Sequence, residues 1–245
     1  MTEVEQYVVD HINDKKFKFP AEFNPATEYS DEFYEKIKEI FIKYPKFKHA
    51  YRTLKRILDF IIALILIIIL IPLYLIIIIA IKIDSKGPAI FKQDRMGKYF
   101  KPFKCWKFRT MSMSAPHDEA TSLLKDSESY VTKVGKFLRK TSLDELAQIF
   151  NVLTNKMSFI GYRPIILTEK KLNDFRNELG VYDMKPGITG FTQIHGRDDV
   201  YYKNKAIMDA YYVKRSSLWF DIKILFGSVG VVLFRKGNKD DNKQN

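Results

Sequence analysis

The amino-acid sequence predicts an α/β protein, mostly helical with short strands, whose helices pack beside one membrane helix. A run of 22 residues without a charge, Phe60 to Ile81, supplies the membrane helix. Apolar residues recur at helical spacing in several later stretches, whereas the strand-like stretches are short and bounded by glycine or proline. No long alternation of strand and helix appears, which excludes a doubly wound sheet.

Composition narrows the functional classes. Of 245 residues, 46% are hydrophobic and 29% charged, which suits a domain with a core and not a disordered chain. Lys plus Arg number 41 against 29 Asp plus Glu, a formal net charge of +12. The natural partners of such a surface are polyanions: phosphate-bearing substrates, nucleic acid or an anionic membrane face. The single cysteine, Cys105, excludes an internal disulfide and any paired-cysteine metal or redox motif, and reads as a small core residue. His11, His49, His117 and His195 lie too far apart for a local zinc-ligand pair.

Residues 1–50 form an N-terminal extension. It opens with acidic residues and lacks the apolar segment of a secretory signal, so it is expected to stay in the cytosol. Within it, DEFYEKIKEIFIKY (31–44) places Phe33, Ile37, Ile40, Phe41 and Tyr44 on one face, with Pro45 as the stop. This amphipathic helix suits the domain surface, the membrane surface or a homodimer contact.

Residues 51–86 form the membrane segment. At about 1.5 Å per residue its uncharged run matches the roughly 30 Å hydrocarbon layer. Pro72 sits near the middle, where it removes a backbone donor and clashes with the preceding turn. Basic residues stand on both flanks, Lys43, Lys46, Lys48, Arg52, Lys55 and Arg56 before it and Lys82, Lys86, Lys92, Arg95 and Lys98 after it. The positive-inside rule wants both flanks in the cytosol. A helix broken at Pro72 that enters and leaves through one leaflet satisfies the rule, so the re-entrant form is favoured over a kinked single-pass anchor. Asp59 follows Lys55 by one helical turn and reads as its salt-bridge partner.

Residues 87–235 are expected to form a cytosolic domain. Gly87-Pro88 marks a turn, 89–91 a short strand, Gly97 another turn and Phe103–Phe108 a second strand. Residues 114–130 are polar and aperiodic, a loop or mobile helix. Helices follow at 143–153, where Leu143, Leu146, Phe150 and Leu153 make a stripe, at 168–179 and at 200–213. The apolar stretch 217–234 fits a helix in the core or the interface, and 236–245 is a solvated tail.

Three stretches could carry chemistry. In RKTSLDELAQIF (139–150), Asp144 and Glu145 are adjacent carboxylates at a helix start, preceded by Arg139 and Lys140. Two readings stand. Ser142-x-x-Glu145 matches a capping box, in which Glu145 serves only its own helix. Alternatively, ionised carboxylates beside cations hold a divalent metal on a phosphate, or attack phosphorus. In MSFIGYRP (157–164), a turn bracketed by Gly161 and Pro164 presents Arg163 to an oxyanion. In KPGITGFTQIHGR (185–197), Gly187, Gly190 and Gly196 with Lys185 and Arg197 suit a phosphate cradle, without Walker or dinucleotide spacing.

Taken in order, these pieces are far more specific than any one of them. Lys55-Arg-x-x-Asp59, an apolar segment with an internal proline, Gly87-Pro-x-x-Phe-x-Gln-x-Arg-x-Gly97, Lys107-Phe-Arg-Thr-Met111, Leu143-Asp-Glu-Leu146, Asn151-Val-Leu, Met157-Ser-Phe-Ile-Gly, Arg163-Pro and Lys185-Pro-Gly-Ile-Thr-Gly190 follow one another. Over about residues 51–235 this pattern resembles the bacterial sugar transferase family, the monotopic polyprenyl-phosphate phosphoglycosyl transferases.

The resemblance implies a membrane-associated catalytic domain on the cytoplasmic face of a bacterial inner membrane. It implies transfer of a phosphosugar from a UDP-sugar to polyprenyl phosphate, with Asp144 as nucleophile, an acyl-phosphate sugar intermediate and release of UMP. Glu145 would bind magnesium (Mg2+). Arg109, Arg139 and Arg163, with Lys107 of the KFRTM motif, fit as phosphate-binding cations, and Arg197 and Asp209 resemble nucleotide-side positions. Tyr162 stands where the family usually has proline, which is expected to loosen the turn before Arg163. The competing readings are a membrane-anchored scaffold without catalysis and, from charge alone, a nucleic-acid binder, which no recognised motif supports.

Overall fold

A computed structural model describes residues 1–43, 49–116, 127–196 and 200–234. Arg197, most of the 114–130 stretch and the 236–245 tail lie outside them. The chain divides into two compact units: Met1–Tyr51 with Ile160–Arg163 and Lys170–Asn245, and Arg52–Phe159 with Pro164–Glu169. This division differs from the sequence boundaries, because the apolar helix clusters with the residues up to Phe159 and the N-terminal extension with the C-terminal third.

The second unit is built along the apolar helix α3 (His49–Asp84). Its helical structure runs unbroken through Pro72, so the expected break is a missing hydrogen bond to the Ile68 carbonyl inside a continuous helix. Only 17% of its most apolar window is buried, so α3 is not the core helix of a soluble protein. One stripe is sheltered: Lys55, Asp59, Ala63, Tyr74, Ile77 and Ile81 are buried, and Ile67 and Leu70 partly so. The spacing of three and four residues is that of one helix face. The other faces expose isoleucine and leucine, with Ile69 65%, Ile76 64% and Ile83 82% exposed.

The sheltered stripe meets an antiparallel hairpin, β1 (Ile90–Met96) and β2 (Pro102–Phe108), paired from Ile90 with Phe108 to Met96 with Pro102. Both strands are longer at the hairpin end than the sequence predicted. Beside it lie α4 (Lys133–Thr141), a 3-10 turn at Leu143–Ala147 and α5 (Gln148–Leu153). Tyr74, Ile77 and Ile81 share one apolar cluster with Ala89, Phe108, Leu138 and Ala147. Buried Cys105 faces Gln93 across the hairpin, as a core residue.

Polar contacts tie α3 to this unit along its length. Arg56 donates to the carbonyls of Val152 (2.8 Å) and Leu153 (3.0 Å), at the end of α5. The Asp59 carboxylate accepts from the Phe159 N–H, Tyr74 donates to the Leu146 carbonyl, and Asp84 accepts from the Val134 N–H.

The first unit packs α6 (Lys170–Glu178), the short α7 (Phe191–Ile194), α8 (Tyr202–Arg215) and α9 (Leu218–Phe234) with the N-terminal helices α1 (Glu3–His11) and α2 (Asp31–Lys43). The apolar face of α2 is spent here: Phe33, Tyr34, Ile37 and Phe41 are buried within the chain, which leaves that face unavailable for a membrane or a dimer. The extension is sewn to α8. Tyr34 donates to Asn204 (3.0 Å), Asn204 to the Pro25 carbonyl (3.0 Å), Tyr211 to the Phe17 carbonyl (2.8 Å) and Arg215 to the Ile12 carbonyl (2.9 Å).

Candidate active site

The Asp144–Glu145 pair lies on the 3-10 turn Leu143–Ala147, which joins α4 to α5. Ser142 is left-handed (φ 57°) and ends α4, its N–H reaching back to Arg139. The capping box does not form: Ser142 makes no side-chain capping bond. Instead Glu145 Oε1 accepts from Lys107 Nζ at 2.8 Å, and Asp144 Oδ2 lies 3.5 Å from the same ammonium. Asp144 is 9% exposed, so its carboxylate is partly withdrawn from water beside a fixed cation.

Three supports hold the dyad. Lys107 stands on β2, opposite Phe91 in the hairpin. Asn151 on α5 donates to the Lys104 carbonyl (2.8 Å) and accepts from the Trp106 N–H (2.9 Å), locking the dyad's helix to the strand that carries Lys107. Arg139 Nε donates to Thr110 Oγ1 (2.9 Å), and α4 seats there through Gly135, where an added Cβ would come within 2.0 Å of the Thr110 carbonyl oxygen. Asn151 had a visible signal in Asn-Val-Leu, but its role did not.

The other cations divide. Arg109 is 5% exposed and directs its two terminal nitrogens to the carbonyls of Lys86 and Ser85. It therefore closes the C-terminal end of the apolar helix, where a cation is favoured by the helix dipole. Arg139 and Lys107 remain partly exposed next to the dyad.

In the first unit, Arg163 lies partly exposed on the segment 160–163, whose backbone is tightly held. Gly161 N–H donates to the Thr189 carbonyl (2.9 Å), and Gly187 N–H to the Tyr162 carbonyl (2.8 Å). Two of the three glycines of the predicted cradle serve this contact: a Cβ at Gly190 would stand 1.9 Å from the Gly161 oxygen, and one at Gly187 2.1 Å from the Gly161 nitrogen, whereas Gly196 has a positive φ and faces Val200. Their signal is close backbone packing.

Tyr162 does not loosen the turn. It is 1% exposed, packs edge-on against Tyr182, and carries the Arg176 guanidinium over its ring at 5.4 Å. Burial, then the neighbouring Tyr182, pushes its phenol well above the ordinary tyrosine range. Arg176, which the sequence did not single out, is fully buried; it donates to the Arg163 carbonyl (3.0 Å) and pairs with Asp209 (2.5 Å). Asp209 is 1% exposed and also accepts from Thr192 (2.7 Å), so it sits inside the unit and supports the Arg163 segment from behind. His195 bonds its own helix turn, through the Phe191 carbonyl.

Residues 50–235 match the sequence model of the family described as bacterial sugar transferase. Over 207 residues the chain is 41% identical to a UDP-galactose-lipid carrier transferase of Erwinia amylovora, covering 78% of this chain and 42% of the relative. Over 205 residues it is 38% identical to an undecaprenyl-phosphate galactose phosphotransferase of Salmonella typhimurium, covering 78% and 42%. Over 187 residues it is 40% identical to a UDP-glucose:undecaprenyl-phosphate glucose-1-phosphate transferase of Escherichia coli, covering 73% and 40%. The chain thus spans well under half the length of these curated relatives.

Proposed function

Because this chain belongs to the bacterial sugar transferase family, we propose that it transfers a phosphosugar from a UDP-sugar to polyprenyl phosphate at the cytoplasmic face of the inner membrane. The observation that carries this reading is the Asp144–Glu145 pair on a short turn, bridged by Lys107. Asp144 attacks the sugar-linked phosphorus; the bond from that phosphorus to the bridging oxygen breaks, and UMP departs with the electron pair. The resulting acyl phosphate is attacked by an oxygen of polyprenyl phosphate, which frees the Asp144 carboxylate and yields polyprenyl-diphosphate-sugar. Lys107 holds the two carboxylates in place before the substrate arrives, and Arg139 adds positive charge where phosphate negative charge gathers. Arg163, and Arg197 by resemblance, are assigned to phosphate and nucleotide binding.

Magnesium fits this donor set. The ion takes one or two carboxylates and completes its shell with phosphate oxygens and water. Among the described residues no group of three or more His, Cys, Asp or Glu could hold a metal unaided, so Glu145 together with a diphosphate is the site that suits it. When bound, magnesium neutralises the diphosphate and stabilises the leaving group.

The membrane arrangement belongs to the same proposal. Hydrogen bonds tie both ends of α3, at Arg56 and at Asp84, to one polar body. A perpendicular crossing would draw part of that body into hydrocarbon, where its polar groups are costly. This favours a helix whose two flanks stay on one side.

The test is UMP release by the purified protein in nanodiscs with magnesium, polyprenyl phosphate and a panel of UDP-sugars, beside Asp144→Asn. Release with one sugar, abolished in the variant, is expected. Release that persists in Asp144→Asn would remove the nucleophile assignment, and none with any sugar from a folded protein would remove the reaction.

A further inference from the structure

The turn between β1 and β2 has an unusual composition for its shape. Gly97 N–H donates to the Lys101 carbonyl (3.0 Å), and between them Tyr99 and Phe100 both take left-handed backbone angles, φ 59° and 55°. A hairpin turn with two left-handed central residues is the place for Asn-Gly, because a side chain with Cβ is strained in that region. Here two aromatic residues occupy it.

Both rings reach solvent. Tyr99 is 62% exposed and Phe100 38%, so neither ring is buried in the chain that bears the strain. Lys98 and Lys101 flank them, with the Lys98 ammonium 4.3 Å from the centre of the Tyr99 ring. The nearest carboxylate on the hairpin, Asp94, is neutralised by Lys104 at 2.7 Å. The tip is therefore cationic and aromatic, on the same unit whose α3 exposes isoleucine and leucine on most of its circumference.

We propose that the Lys98–Lys101 tip is a second membrane contact, which seats Tyr99 and Phe100 at the headgroup level of an anionic bilayer. Aromatic rings with polar edges favour that depth, and lysines beside them meet lipid phosphates. Strain in the turn is then offset in part by burial of the exposed ring faces in the bilayer, a pattern expected where function helps to select a side chain. The proposal rests on α3 bringing this unit to a bilayer and is independent of the reaction.

The experiment uses the full chain carrying Tyr99→Trp with Trp106→Phe and Trp219→Phe, in vesicles of phosphatidylcholine alone or with phosphatidylglycerol, each containing lipids brominated high on the acyl chain. Blue-shifted emission, quenched by bromine and more strongly in the anionic vesicles, is expected. Solvent-like, unquenched emission would overturn the proposal. Shifted emission without quenching would replace lipid by a second copy or another protein, and equal quenching in both vesicles would overturn the role of the lysines. Should the tryptophan changes prevent folding, a nitroxide at Phe100→Cys in a Cys105→Ala chain answers the same question, through collision with oxygen (expected) or with a water-soluble nickel complex (contrary). Independently, Tyr99→Asn with Phe100→Gly is expected to raise the melting midpoint in detergent by several degrees; a lowered midpoint would show that the aromatics serve the fold.

Discussion

Asp209 and Arg176 form a buried ion pair with a defined task. Arg176 spends one nitrogen on the carboxylate and another on the Arg163 carbonyl, so removing Asp209 strands a charge in the interior. Asp209→Ala should destabilise the protein by about 3–5 kcal/mol, measured by denaturant unfolding, with Asp209→Asn recovering part of the loss. A second buried group responds to pH. The Tyr212 phenol is held well above the ordinary tyrosine range by burial, and then by the adjacent Asp221, whose carboxylate it bonds at 2.6 Å. A phenol with a raised folded value favours the protonated state, so its contribution is complete below the unfolded value of about 10 and is lost as pH climbs beyond it. Tyr212→Phe should therefore flatten the alkaline limb of a stability–pH curve; an unchanged limb would contradict the assignment. At this scale the sequence was legible for type and poor for role. Lys107 reaches both carboxylates of the dyad, a contact the motifs did not announce, and Arg109 and Asp209 make bonds within the fold that their residue types did not announce either. A string of letters does not tell which carbonyl a buried guanidinium will meet.

At the level of elements, Asn151 joins α5 to β2 by two hydrogen bonds, one of them satisfying a backbone N–H. Asn151→Ala leaves that donor without its acceptor and should cost about 1–3 kcal/mol. Because the strand carries Lys107 and the helix continues the dyad's turn, kcat for UMP release should fall more than stability alone explains, while Asn151→Asp, which keeps the acceptor, should retain part of it. Gly190→Ala should be worse, since the added carbon meets the Gly161 carbonyl and not a yielding side chain; thermal unfolding in detergent checks it. The apolar helix and α2, α6, α8 and α9 were readable because each repeats apolar residues at a helical period over two turns or more. α4 was missed because KVGKFLRKT buries chiefly Gly135 and Leu138 among basic residues, too few to reveal a period. The Ser142-x-x-Glu145 signature misled for a local reason: Ser142 is already the left-handed end of α4 and cannot also open the next helix in extended form. α1 was overlooked although Thr2 and Glu5 do make a capping box.

For the molecule as a whole, the proposed function gives the charge that pointed to polyanions two destinations, substrate phosphates at the dyad and lipid beside α3. The N-terminal extension lies outside the family match yet inside a compact unit. A chain lacking residues 1–43 would expose Tyr211, Asn204 and the α8 surface that Phe33 and Tyr34 accompany. It should aggregate or melt well below the full chain, whereas a merely appended tail would leave the midpoint unchanged.

The stitching of the extension to α8 also sets an order of assembly. Tyr34 and Asn204 are separated by 170 positions, and at roughly 5–20 residues per second of synthesis the extension must wait many seconds for its partner to emerge. The apolar helix leaves the ribosome early in that interval. With α3 as the proposed membrane helix, the bilayer would receive it while α1 and α2 still lack their docking surface, and the first unit would close last, once α8 has been made.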